Sequence, residues 1–340
     1  MNADKIEVDL HEFTDTITKM NAVTFARDGQ YCVVACEDKK IYVLDVNEWK
    51  PVTSMTGHRL GVNSVIVSPD GVNVISSDVI GKVFAWKLTS GKKVGGFEGV
   101  RGRVESLAFS PDGKLVMAAD TLRNVHLWIA ANGQPALSPI SQRWPVKSVT
   151  FSPDSTLAAA ACGDGTISIL DLTDGSEKLS IKPPTGESLA TRALNSVAFS
   201  ADGKSLITAG ADNMLRLWEA ETGDLLAQFE GHTGPVNQVV VSADGKYALS
   251  GSDDKTMRLW EMPEAAKPAA PDPQNRTLQP ERKPGRDNEI RTGKESRFAT
   301  SRGQQVLRGV IGPGVNPCRA QRTGAVLLSA VSQLPQMSGG

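Results

Sequence analysis

Residues 231–260 read "GHTGPVNQVVVSADGKYALSGSDDKTMRLW". The segment "VNQVVVS" alternates apolar and polar residues, the period of a half-buried strand. It is followed by the tight turn "ADGK", where Gly245 supplies a positive φ. "YALSGS" and "MRLWE" are two further strands, separated by the "DDK" turn. The stretch recurs through the chain. "NAVTFARDG", "NSVIVSPDG", "ESLAFSPDG", "KSVTFSPDS", "NSVAFSADG" and "NQVVVSADG" place their fifth residue at Phe25, Val67, Phe109, Phe151, Phe199 and Val241, in steps of 42, 42, 42, 48 and 42. A second anchor stands 19 residues after each: Leu44, Trp86, Trp128, Leu170, Trp218 and Trp260. An insertion within "KPPTGESLATR", residues 182–192, accounts for the one longer step.

A fourth strand such as "LLAQFEG" completes the unit. Four strands in series, repeated with this period, predict the blades of a β-propeller, because a single blade cannot bury both its faces. The "GH" pairs at 57–58 and 231–232, the "SPDG" or "SADG" turns, and "LW" at 127–128, 217–218 and 259–260 resemble the WD40-repeat (G-beta-like) family. The final Asp of that family's signature is missing: Trp218 and Trp260 are followed by Glu219 and Glu261.

The resemblance implies an all-β fold, a WD40-type β-propeller of six recognisable blades, each a four-stranded antiparallel sheet. The repeats fall near 11–46, 57–88, 99–130, 141–172, 190–220 and 231–262, so that residues 1–262 form the propeller. It also implies that the last blade borrows its outer strand from the N-terminus, a role that suits "KIEVDL" at 5–10. Most members of the family have seven blades. A six-bladed ring and a ring with one blade missing or supplied by a partner therefore both stand.

His232, Ser250, Asp254 and Trp260 occupy the four positions at which the family carries a buried hydrogen-bond chain. A buried indole N–H, imidazole and carboxylate each need a partner, and this set supplies one another. A Ser-His-Asp nucleophile would instead need an exposed Ser beside an oxyanion hole, and nothing here resembles a nucleophile elbow. The four are read as a structural tetrad, complete only in copy six. Asp38, Asp164 and Asp212 match Asp254, whereas copies two and three carry Ile80 and Leu122 there. Only His58 matches His232; Val100 and Gln142 replace it in copies three and four. His126, beside Trp128, is expected to be partly exposed.

The turns and the GH loops share one face of such a propeller. In copies two to four this face carries Arg59, Val79, Ile80, Arg101, Arg103, Leu122, Arg123, Arg143 and Trp144. A Trp among arginines is a common interface composition. Either these residues form an apolar, basic patch for an acidic or amphipathic protein segment, or Ile80, Leu122 and Trp144 fold inward to fill the space left by the lost polar network.

The net charge of −1 hides a split. Residues 263–340 carry 12 Lys+Arg against 6 Asp+Glu, while the first 262 carry 25 against 32. The tail holds 9 Pro and 9 Gly, a composition that predicts disorder. Its basic end can touch nucleic acid weakly, but without interleaved aromatics it offers no base-stacking surface. Cys32 and Cys36 share a strand face as small apolar residues, no C-x-x-C pair occurs, and four histidines leave no metal cluster. No signal peptide or membrane span is evident.

The chain is thus expected to be a non-catalytic, cytoplasmic scaffold or adaptor that binds protein partners, needs no cofactor and does not enter membranes. One alternative is a regulatory or sensor propeller module of a larger system, bacterial signalling included. Another is a propeller enzyme with a site in the central channel. The inner strands "VTFA", "VIVS", "LAFS", "VTFS", "VAFS" and "VVVS" argue against that enzyme, since they hold no converging carboxylates or metal ligands.

Overall fold

The computed structural model describes residues 19–48, 50–182 and 192–263 together with a strand at Gln305–Leu307. Those residues build six four-stranded antiparallel sheets. Blade one comprises β1 (Met20–Phe25), β2 (Tyr31–Cys36), β3 (Lys40–Asp45) and β4 (Lys50–Thr56). Blade two comprises β5 (Val62–Val67), β6 (Asn73–Asp78), β7 (Val83–Lys87) and β8 (Lys93–Phe97). Blade three has β9 (Val104–Phe109), β10 (Leu115–Asp120), β11 (Asn124–Ile129) and the short β12 (Ile140–Ser141). Blade four has β13 (Val146–Phe151), β14 (Leu157–Cys162), β15 (Ile167–Asp171) and β16 (Glu177–Ile181). Blade five is β17 (Leu194–Phe199), β18 (Ser205–Gly210), β19 (Leu215–Glu219) and β20 (Leu225–Phe229). Blade six is β21 (Val236–Val241), β22 (Tyr247–Ser252), β23 (Met257–Glu261) and β24 (Gln305–Leu307).

The first hairpin of five blades is pinned by one local device. The hydroxyl of Ser110 donates to Asp112 Oδ1 at 2.6 Å, and Ser68, Ser152, Ser200 and Ser242 do the same to Asp70, Asp154, Asp202 and Asp244. The same oxygen accepts the N–H that opens the second strand, as in Leu115 N to Ser110 Oγ at 2.9 Å. The serine bond is the main reason that the carboxyls of Asp70, Asp112, Asp154 and Asp244 lie below their usual range. The next turn residue takes a left-handed φ, near +70° at Gly71, Gly113, Gly203 and Gly245. Copy four breaks the rule: Ser155 stands there with φ +63°.

The inner strands β1, β5, β9, β13, β17 and β21 lie against one another in that order. Each neighbouring pair of blades shares an apolar core. Between blades one and two, Val33, Ala35, Ile41 and Val43 meet Val65, Val74 and Trp86. Between blades five and six, Ile207, Leu215 and Leu217 meet Val239, Ala248 and Trp260. The three intervening interfaces repeat the arrangement.

The outer faces of the first and last blades do not join in this way. Met20, Val23, Val34, Cys36 and Leu44 form one cluster on blade one, and Val240, Leu249, Met257 and Leu259 form a separate one on blade six. Cys32 and Cys36 both belong to the blade-one cluster, where burial pushes their thiols up to about 12. Among the described residues, the seam between blades six and one lacks the common core found at the other five interfaces.

The expected closing strand, residues 5–10, lies outside the described residues. The edge of β23 meant for it is instead paired by β24, with Met257 opposite Leu307 and Leu259 opposite Gln305. Residues 264–304 and 308–340 also lie outside the described residues, as does the expected disorder of the tail.

Candidate functional site

In copy six the structure brings His232, Ser250, Asp254 and Trp260 together. Trp260 Nε1 donates to Ser250 Oγ at 2.8 Å, and His232 Nε2 lies 2.7 Å from the same oxygen. His232 Nδ1 lies 2.8 Å from Asp254 Oδ2. One proton arrangement satisfies all four groups: the Ser250 hydroxyl donates to Nε2, and Nδ1–H donates to the carboxylate. Burial would by itself raise the Asp254 carboxyl, but bonds from Thr256, Thr233 and His232 hold it well below the usual range. Burial lowers the pKa of His232, against the pull of Asp254. Ser250 is 0% exposed, and its oxygen already accepts an indole N–H. This Ser-His-Asp chain has the bond order of a nucleophilic triad but no access to a substrate.

Copy two corrects the reading that only copy six is complete. His58 Nε2 lies 2.8 Å from Ser76 Oγ, Trp86 Nε1 donates to that oxygen at 2.8 Å, and His58 Nδ1 lies 3.1 Å from Asp78 Oδ2. The carboxylate comes from the end of β6, two residues before the Ile80 position. Copy three uses the same position differently. Asp120 Oδ2 meets His126 Nε2 at 2.9 Å, and the imidazole stacks on Trp128 with ring centroids 5.5 Å apart. His126 is therefore buried, not partly exposed. Asp78 and Asp120 are one 42-residue period apart, a signal that was present in the sequence. In copy five Trp218 Nε1 donates to Thr208 Oγ1 at 2.9 Å, and Arg216 pairs with Asp212 in place of the His. Copies one and four carry Leu44 and Leu170 where the others carry Trp.

On the face bearing these turns, Ile80, Leu122 and Trp144 are exposed by 51%, 53% and 37%. They do not fold inward, and the polar sets of copies two and three are filled by Asp78 and Asp120 instead. Arg59, Arg101, Arg103, Arg123 and Arg143 are also exposed, and Val79 is half-buried. Arg103 makes a loose contact with Glu105 at 3.9 Å.

Backbone contacts make these loops continuous. Gly81, at φ +84°, approaches the carbonyl of Gly102 so closely that no side chain fits between them. Gly102 in turn lies against Thr121 and Leu122. Arg123 O accepts Gln142 N–H at 2.7 Å, and Arg123 Nη1 donates to Arg143 O at 3.3 Å. Leu122, Arg123, Arg143, Trp144 and Pro145 line a shallow hollow. Arg143 and Trp144 also line a second cavity, of about 740 Å³. Its lining includes Ile140, Gln142, Arg143, Trp144, Asp164 and Leu170.

No group of three or more potential metal ligands occurs among the described residues, and no helix there is long and apolar enough to cross a membrane. Compared with known families, the chain matches the model described as WD40 (WD domain, G-beta repeat) six times, at residues 8–45, 49–81, 91–128, 140–171, 185–219 and 223–261.

Proposed function

The chain belongs to the WD40-repeat family, whose repeats are generally protein-interaction modules, and on that premise we propose that it is a non-catalytic scaffold that grips its partner with blades two to four. The observation that carries the reading is the exposure of Ile80, Leu122 and Trp144 alongside exposed Arg59, Arg101, Arg103, Arg123 and Arg143, with Leu122, Arg123, Arg143 and Trp144 lining one hollow. Three large apolar side chains exposed together mark a contact surface, and the arginines set its preference for acidic or amphipathic segments. The core of such an interface is apolar and aromatic, with a charged rim that governs approach.

Affinity purification of the tagged chain, followed by mass spectrometry, identifies the partner. Recovery is then compared between wild type and a Trp144→Ala/Arg143→Ala variant of unchanged circular dichroism. The reading expects the partner to be lost from the variant. Equal recovery would remove blades two to four as its binding face.

A further inference from the structure

The outer strands of blades one, two, four and five share one irregularity. Their pairing with the third strand slips by one residue, so one side chain is left without a partner across the ladder. In blade two Ala85 pairs with Gly95 and Trp86 with Lys93, which leaves Val94 between them. Val52 in β4, Lys178 in β16 and Leu226 in β20 stand at the same place. A bulge pushes its extra residue out of the ladder, and all four of these side chains are exposed. Blade five adds a second large aliphatic side chain beside the bulge. The residue before it is Pro51 in blade one, Lys93 in blade two and Glu177 in blade four, but in blade five it is Leu225, also exposed.

The charges beside these side chains differ as well. Val52 follows Lys50 closely, and Val94 follows Lys92 and Lys93. Leu225 and Leu226 follow Glu221 and Asp224 instead. Residues 217–245 contain no Lys or Arg, against the acidic Glu219, Glu221, Asp224, Glu230 and Asp244. At the turn entering β20 the Thr222 hydroxyl stands 2.6 Å from Glu219 Oε2 and 3.0 Å from Asp224 Oδ2. Its single proton can answer only one of the two carboxylates it holds together. Blade five therefore presents an exposed leucine pair in an acidic setting. The loop face of blades two to four presents exposed Leu122 and Trp144 in a basic one. The two surfaces are complementary in charge and alike in apolar character.

We propose that the chain assembles with itself, the outer strand of blade five of one copy docking on the hollow at Leu122 and Trp144 of the next. Leu225 and Leu226 meet that hollow, and Glu221 and Asp224 face Arg123 and Arg143. The proposal rests on the scaffold reading for its docking face and names a second copy as the occupant. The outer strands of blades one and two bring lysines towards the same arginines and are repelled. Within one copy the sheet of blade four stands between the two surfaces, so the contact forms between copies. The surfaces are different patches, so the contact is head-to-tail and not two-fold symmetric.

Sedimentation velocity of the full chain tests it. The wild type is expected to gain mass as its concentration rises to about 100 µM, where a contact of micromolar Kd is largely formed. Leu225→Ser/Leu226→Ser and Trp144→Ala/Arg143→Ala each remove one half of the contact and should stay monomeric there. Mixed in equal amounts, the two variants should form a pair and nothing larger, because each still carries the half that the other lacks. A two-fold symmetric contact could not be restored in this way. A monomeric wild type, variants that still assemble alone, or a mixture that stays monomeric overturns the proposal.

The substituted side chains are exposed, so both variants should fold. Should either not fold, salt decides on the wild type. An assembly held by opposite charges weakens as NaCl rises from about 0.05 to about 0.5 M. One that is unchanged or strengthened overturns the proposal. The two readings fail separately. A wild type that stays monomeric, yet loses its captured partner on Trp144→Ala/Arg143→Ala, removes self-assembly and leaves the scaffold reading intact.

Discussion

Ser250 Oγ stands between Trp260 and His232, 2.8 Å from the indole nitrogen and 2.7 Å from the imidazole Nε2. One buried hydroxyl therefore answers two buried groups from two different segments, the third strand of the blade and the loop that enters it. Removing it leaves both unsatisfied. Ser250→Ala is expected to lower stability by about 2–4 kcal/mol, read from the midpoint of urea unfolding. Ser250→Thr should cost much less, because Thr208 already holds Trp218 by the same bond at 2.9 Å. Similar losses for the two variants would show that the hydroxyl is not the tie.

The two histidine sets predict a pH dependence with a definite sign. Burial lowers the pKa of both His58 and His232. The folded protein thus binds fewer protons than the unfolded chain just below the ordinary histidine value. The stability is fully present above about pH 6.5, and it declines as pH falls from there towards the lowered folded values. Each histidine contributes at most about 1.4 kcal/mol per pH unit. The melting temperature should fall between pH 6.5 and pH 5. A His58→Gln/His232→Gln variant, which copies the natural Gln142, should show a flatter profile over that range.

Ser155 holds a left-handed backbone where five sister turns use glycine. Ser155→Gly removes the steric cost of the side chain, offset in part by the freedom glycine gains when unfolded. The net gain should be about 0.5–1 kcal/mol, seen as a higher unfolding midpoint with an unchanged denaturant slope. A drop in the midpoint would mean that the weak contact from Asp112 N to Ser155 Oγ, at 3.4 Å, matters more than the strain.

Ile80 and Leu122 stand more than half exposed at turn tips. Changing either to Ser should leave stability within about 0.5 kcal/mol of wild type while weakening the partner. A loss of several kcal/mol would place these side chains in the core and count against a docking role.

Most of the architecture could be read from the period alone. Phe25 to Val241 and Leu44 to Trp260 keep one register, and each copy folds as one sheet. The polar sets were less legible. Counting positions from Asp254 pointed to Ile80 and Leu122, but blades two and three place the carboxylate two residues earlier, at a strand end. In blade two the geometry of copy six is kept while the spacing is not. His126 escaped notice because its imidazole reaches the carboxylate from the third strand, a route that copy six does not use.

The separate clusters on blades one and six bear on how the molecule comes apart. A sealed ring has no ends, so every blade opens at comparable cost. Among the described residues, blades two to five each have two apolar neighbours, while the first and last have one, which is the condition of a linear array. Opening begins where a unit has only one neighbour. Amide exchange should therefore be fastest in β2 and β22 among the second strands and slowest in β10 and β14. Among the described residues the weak seam lies between blades six and one, away from the loops around Trp144 that are proposed to meet a partner.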